Sequence, residues 1–333
     1  MKRIFISLLI VVSFVSCKRI PLYDPSSGIY LKPNIILNTG YLLNEDLHVD
    51  ETPYLRDKVY GKMPEAVRAC IYDAETHAMI AEEFMPPTGG FIHIAPGTYD
   101  IIVYSLGTEE TQVTGTSARG TGYAYTGNVG TKMTVSSHSA ETGELTVVDQ
   151  NVIYEPDHIF VGQVEGVVIP VMAPEDPPII IECDMPTLVQ SYSFEVINVV
   201  GAGNIQVADV YITGQAPSRF LWDGHRPNGV SAIYFPVEVN VEKGHIYSVF
   251  NTFGKYPGMT NNCYLNVLVT TGGGGKYQWI FDITDQFDDP DNTHHEIIID
   301  EDVIVPGGGP ETEGGFIPVV EDWDPVIIYV PLQ

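Results

Sequence analysis

The sequence predicts an all-β protein built as tandem sandwich domains. Three observations carry that reading. Apolar residues fall in short β-branched and aromatic runs, such as Val67-Arg68-Ala69-Cys70-Ile71-Tyr72 and Thr98-Tyr99-Asp100-Ile101-Ile102-Val103-Tyr104, and helical periods are nearly absent. Gly, Pro, Asp and Asn punctuate those runs at short intervals. A chain of 333 residues is long enough for two ordinary cores.

The elements follow in order. Lys2 and Arg3 precede an apolar run, Ile4 to Val15, and then Ser16-Cys17. A charged start, a short apolar stretch and a small residue before the cut form an export signal. A cysteine at the cut predicts cleavage after residue 16 and lipid on Cys17. The other readings are a secretory signal cut elsewhere or a short anchor, although the run is well short of the ~20 residues a spanning helix needs. Residues 17–178 are expected to form the first sandwich. Its strands are sought around Ile29–Leu31, Val67–Tyr72, Met79–Ala81, Phe91–Ile94, Thr98–Tyr104, Met133–Val135, Leu145–Val148 and His158–Gly162. The Gly-, Thr- and Ser-rich stretch Thr108 to Gly130 reads as a long surface loop.

Ala173-Pro174-Glu175-Asp176-Pro177-Pro178 is the best linker, since proline cannot donate to a β-ladder. The boundary is soft, because Ile179–Glu182 could still belong to the first sandwich. The second, 179–333, is expected to use Tyr192–Val200, Val207–Gly214, Tyr234–Val241, His245–Phe253, Cys263–Thr270, Lys276–Ile283 and Glu296–Ile299, with a hairpin turn at Gly272 to Gly275. A glycine-rich spacer, Gly307 to Gly315, leads to a final strand pair, Phe316–Val320 and Pro325–Val330.

Charge excludes some functions. The formal net charge is −27, and loss of Lys2 and Arg3 with the signal takes it to −29. Nucleic-acid binding relies on Lys and Arg neutralising phosphates, so no nucleic-acid partner is expected. Adhesion to an anionic membrane surface is equally opposed, which leaves lipid to hold the protein there. Beyond Cys17 the cysteines are Cys70, Cys183 and Cys263; at most one bridge could form, and each sits among apolar neighbours as a buried thiol would.

No stretch carries recognisable catalytic chemistry. His294-His295 would point to opposite faces of a strand, which makes them poor joint metal ligands. The acidic run Asp282 to Asp291 lacks the spacing of a calcium loop. Gly120-Thr121-Gly122 and Gly272 to Gly275 lack the following helix start and Lys-Ser/Thr of a phosphate cradle. No Gly-x-Ser-x-Gly or His-Glu-x-x-His occurs. No cofactor, no metal and no catalytic residue are therefore expected. Trp222, in a loop-like stretch with Asp223, Gly224 and His225, is the best exposed aromatic for stacking on a sugar.

Four stretches carry a resemblance. Val67 to Asp73 followed by Ile92-His93-Ile94-Ala95-Pro96-Gly97-Thr98-Tyr99-Asp100, then Pro156 to Gly162, Phe281-Asp282-Ile283-Thr284-Asp285-Gln286, and Gly315-Phe316 with Trp323 ahead of Val326-Ile327-Ile328 resemble segments of the fimbrillin-like lipoproteins of Bacteroidota, especially minor, anchor-type subunits. The resemblance implies two transthyretin-like, Greek-key sandwiches and a non-enzymatic role in fimbria assembly, anchoring or adhesion. It implies other fimbrillin-type subunits as partners and an outer-membrane protein, lipid-anchored through Cys17 and facing the cell surface. Lys18-Arg19 departs from the acidic residues expected there in surface lipoproteins, so a periplasm-facing protein is the other reading.

A sandwich edge can accept an extended strand from a neighbour. The candidate donor is the carboxy-terminal segment with Phe316, Val319, Trp323, Val326, Ile328 and Val330, which could instead complete its own domain. Arg56 is a candidate processing position. The alternative function is a stand-alone lipoprotein binding glycan or host protein through loops near Thr114 and Trp222.

Overall fold

The structure, a computed structural model, describes residues 28–37, 53–138, 145–173, 175–227, 229–256, 263–307 and 326–329. The described residues fold mainly into β-sheet, as the patterning of the sequence predicts.

In the amino-terminal part, β2 (Ala66–Asp73) and β5 (Gly97–Leu106) lie at the centre of a four-stranded antiparallel sheet. β3 (Met79–Met85) flanks β2, and β10 (Val161–Ile169) flanks β5. A second sheet places β1 (Ile29–Ile35) between β4 (Gly90–Ile92) and β11 (Ile179–Met185). Val67, Ala69, Ile71, Ile101 and Val103 face this second sheet and bury against Leu31, Ile92 and Cys183. The other face of β2 and β5 is apolar too, through Cys70, Tyr72, Ile102 and Tyr104. That explains why both strands read as nearly continuous apolar runs: they form a middle layer, covered on two sides.

The third layer corrects one expectation. Thr108 to Gly130 is not a loop; it holds β6 (Thr111–Thr114), β7 (Tyr123–Thr126) and the start of β8 (Asn128–His138). β7 pairs with β6 and with the distant β14 (Ser218–Phe220). Its Ala124 is fully buried against the Cys70–Tyr104 face. Glycine at 115 and 120 does mark turns, with φ of 74° and 80°. The pairing partner comes from so far along the chain that local composition carries no sign of it.

In the carboxy-terminal part, β12 (Gln190–Val200) lies between β17 (His245–Thr252) and β20 (Glu296–Ile304), with β16 (Glu238–Asn240) beyond β17. A seven-stranded sheet faces it. Its order is β21 (Val326–Tyr329), β19 (Lys276–Asp282), β18 (Tyr264–Thr271), β13 (Ile205–Gln215), β15 (Ser231–Pro236), β9 (Leu145–Tyr154) and β8. Between the sheets sit Phe194, Phe235, Phe250, Trp279, Phe281 and Ile297. Each such side chain contributes about 1.5–3 kcal/mol on burial. The expected hairpin turn joins β18 to β19, closed by the Thr271 N–H donating to Gly275 O at 2.9 Å.

Hydrogen bonding crosses residue 178 in both directions. β11, which follows it, pairs in parallel with β1, while β9, which precedes it, pairs in parallel with β15. Among the described residues two short α-helices, α1 (Pro53–Tyr60) and α2 (Thr284–Asp288), and a 3-10 turn at Ala202–Asn204 interrupt the β pattern. No described helix is long and apolar enough to cross a membrane.

Candidate functional site

The carboxy-terminal edge is built on β19. Its Trp279 and Phe281 are buried in the core, Tyr277 stacks on Trp279 at 6.0 Å, and Gln278 donates to the Asn266 side chain at 3.1 Å. β18 occupies one side of β19. The other side carries β21 in parallel, with Val326 opposite Tyr277 and Ile328 opposite Trp279. Two residues of the candidate donor segment thus lie on the edge of the protein's own seven-stranded sheet. Phe316, Val319, Trp323 and Val330 lie outside the described residues, as does Cys17.

Arg56 lies on α1, exposed and 3.8 Å from Asp57. The helix around it is firmly held. Val59 is fully buried and packs on Val249 of β17. Lys58 Nζ is 2.7 Å from Glu155 Oε1, and the Asn251 N–H donates to Glu155 Oε2 at 3.1 Å. Burial pushes the Glu155 carboxyl above its usual range, against the pull of Lys58 and the Asn251 N–H. His158 lies behind, with Nε2 2.9 Å from Lys58 O and Nδ1 2.8 Å from Thr187 Oγ1. Burial lowers its pKa. These groups line one wall of a polar cleft of about 590 Å³ that also includes Lys62, Glu65 and Glu109.

Sequence reasoning missed α1. Its signal was present in the Pro53 start and in Gly61 just past the end, where φ is +82° and the N–H donates to Asp57 O at 3.0 Å.

Trp222 is half-buried, and the Arg119 guanidinium sits 4.0 Å from its ring centroid, so one face of the indole is already covered. Arg119 itself pairs with the buried Asp100. Thr114, the other loop landmark, ends β6. His295 has φ of +53° and stacks on Tyr192 at 4.6 Å, with Nδ1 3.1 Å from Ser191 O. Among the described residues no cluster of His, Cys, Asp and Glu is arranged to hold a metal. Cys70, Cys183 and Cys263 are buried free thiols, and burial pushes the latter two up to about 12. They are poor nucleophiles at neutral pH.

The Phe281–Gln286 stretch turns into α2 and acts on β20. Gln286 Nε2 donates to Ile298 O at 2.9 Å, and the Ile298 N–H donates to Gln286 Oε1 at 2.8 Å.

The described residues thus form stacked β-sheets in which β21 lies on an edge. The chain belongs to the family described as "Domain of unknown function (DUF5119)", which matches residues 57–235. It is 23% identical over 249 residues to a candidate fimbrium anchoring subunit, Fim4B, of Bacteroides ovatus, covering 75% of this chain and 69% of that one. Among solved structures, a candidate adhesin from Bacteroides ovatus superposes with a TM-score of 0.60 at 19% identity, covering 89% of this chain and 98% of the other. A second candidate adhesin from the same species gives a TM-score of 0.50 at 9% identity, covering 85% and 90%. These structural likenesses establish the shared fold, and the resemblance to fimbrillin-like proteins agrees with all three.

Proposed function

We propose that this protein is a non-enzymatic subunit of a surface fimbria that acts in its assembly, anchoring or adhesion. Lipid on Cys17 tethers it to the outer membrane, facing the cell surface, and its partners are other fimbrillin-type subunits. Its two sandwich units, expected as 17–178 and 179–333, exchange strands across that boundary: β8 and β9 join the carboxy-terminal sheet, β11 pairs with β1, and β14 pairs with β7.

The observation that carries the reading is β21. Among the described residues four register pairs join it to β19, in parallel along the sheet edge, and a glycine-rich segment from Gly307 to Pro325 separates it in sequence from β20. A strand held this way can leave its own sheet and pair with a neighbouring subunit. The named relative, an anchoring subunit candidate, supports the same assignment.

Unheated envelope extracts from the native bacterium, run on a denaturing gel and blotted for this protein, test it. Strand-joined assemblies resist detergent and give a ladder or a heavy band containing a second subunit. A single band at the monomer mass counts against a polymerised subunit. In the same cells Cys17→Ala is expected to move the protein out of the membrane fraction; retention there would remove the lipid tether from the proposal.

A further inference from the structure

An edge strand presents unpaired N–H and C=O groups at alternate residues, and proteins that stay apart must blunt them. Three long edges of this protein treat them differently. At β20, Gln286 satisfies both main-chain groups of Ile298, and Asn292 does the same two residues earlier: Nδ2 donates to Glu296 O at 2.8 Å and Oδ1 accepts from the Glu296 N–H at 3.0 Å. Two primary amides thus stand in for the ladder of an absent strand. At β10, a bulge between Val164 and Val167 bends the edge, and the Gly166 N–H donates to Asp100 Oδ1 at 2.8 Å.

β3 has its own bulge at Ile80, since Met79 and Ala81 pair with the consecutive Tyr72 and Ile71, but beyond it no side-chain amide caps the edge among the described residues. Among the described residues its outer side is engaged only at the start, where Met79 N–H donates to Ser117 O and Ala78 bridges Ala118. Beyond that bulge the edge runs regularly from Ala81 to Met85 with no strand paired to its outer side among the described residues, until Pro86 ends it. Ile80 and Phe84 are 49% and 62% exposed and share one face with Glu82 between them. Arg68 lies beneath, paired with Glu82 and with its guanidinium 5.5 Å from the Phe84 ring centroid. Glu83 points to the other face, where it meets His93 Nδ1 at 3.4 Å.

We propose that the edge Ile80–Met85 of β3 is an acceptor for an extended strand from a different protein, whose outward residues run apolar, basic, apolar. The apolar residues would lie beside Ile80 and Phe84, and the basic one beside Glu82. A second copy of this chain is the wrong occupant, because the mature chain would bring another net charge of −29 to an edge already lined by Glu82 and Glu83. Gln286 and Asn292 keep such strands off β20. This inference rests on the proposed assembly by strand addition and names the edge it uses.

The probe is a short peptide alternating threonine with valine, lysine and valine, added to the mature full-length chain and read by amide hydrogen exchange. Protection is expected at residues 80–85. A peptide of equal charge with proline at its centre should give none, and one with glutamate for lysine should bind far more weakly. The double variant Ile80→Lys/Phe84→Lys changes only exposed side chains. It should keep the native circular dichroism and lower affinity about tenfold. Gln286→Ala/Asn292→Ala should gain protection at residues 296–298. Protection elsewhere in the wild-type chain, equal binding of the proline or glutamate peptides, or self-dimerisation through β3 would overturn the proposal. In the bacterium, a ladder that persists in Ile80→Lys/Phe84→Lys would reject this edge while leaving the fimbrial role intact. Absence of a ladder from wild type would reject that role and leave the peptide result to judge β3.

Discussion

α1 and β21 are both short elements set outside the main run of strands, and they are attached by opposite chemistry. α1 is held by a fully buried Val59, an almost enclosed Lys58–Glu155 pair, and the imidazole of His158 against its last carbonyls. Among the described residues β21 is joined to its sheet by four register pairs along one edge. Buried charges tolerate no half-measures, because releasing one leaves the other unpaired in a low-dielectric site. Edge hydrogen bonds exchange readily for equivalent ones with water or with another strand. The first attachment therefore suits a permanent brace and the second a replaceable one.

Breaking the brace should have the largest effect. Glu155→Ala strands Lys58 and leaves the Asn251 N–H without its acceptor. It should cost about 3–5 kcal/mol by urea unfolding; a loss under 1 kcal/mol would mean that α1 contributes little. Gly61→Ala comes next. A Cβ there would lie 2.6 Å from Phe160 Cζ on a residue with φ of +82°, so about 2 kcal/mol is expected. The melting temperature should fall accordingly.

The pH dependence sharpens the same contrast. His158 has a folded pKa below its ordinary 6.5, so it is neutral in the fold and stabilises fully above pH 6.5. That contribution is lost as pH falls from 6.5 toward the lowered value. The raised pKa of Glu155 works in the opposite direction, since the folded state takes up its proton first. Unfolding measured from pH 7.5 downward should show the His158 loss in wild type, and His158→Gln should flatten that part of the profile. An unchanged profile would remove His158 from the brace. The smallest effect is expected from deleting residues 326–333, at about 1 kcal/mol or less, since hydrogen bonds on a sheet edge exchange for equivalent ones with water. A loss rivalling that of Glu155→Ala would make β21 a fixed part of its own sheet.

Much of the fold was legible from local pattern. The alternation around Val67–Tyr72 and Thr98–Tyr104, the Gly272–Gly275 turn and the buried cysteines follow from which side chains prefer water and which backbones can turn. β6 and β7 were not legible, because their glycine-rich surroundings look like a loop until β14, far along the chain, supplies a ladder. The brace was not legible either. Lys58, Glu155, His158 and Asn251 are ordinary polar residues in sequence, and only their convergence makes them a unit.

The sequence by itself determined the class of protein: a β-rich pattern, strong negative charge, Cys17 following an export-like apolar run, and no catalytic motif. Those properties depend on side-chain chemistry and spacing within a few residues. The tertiary structure alone decided which strands neighbour which, that β9 and β11 cross the expected boundary, and which edges are capped and which stand open. Hydrogen-bond partners in a sheet are chosen by global packing, and a strand carries no local mark of the neighbour it will find.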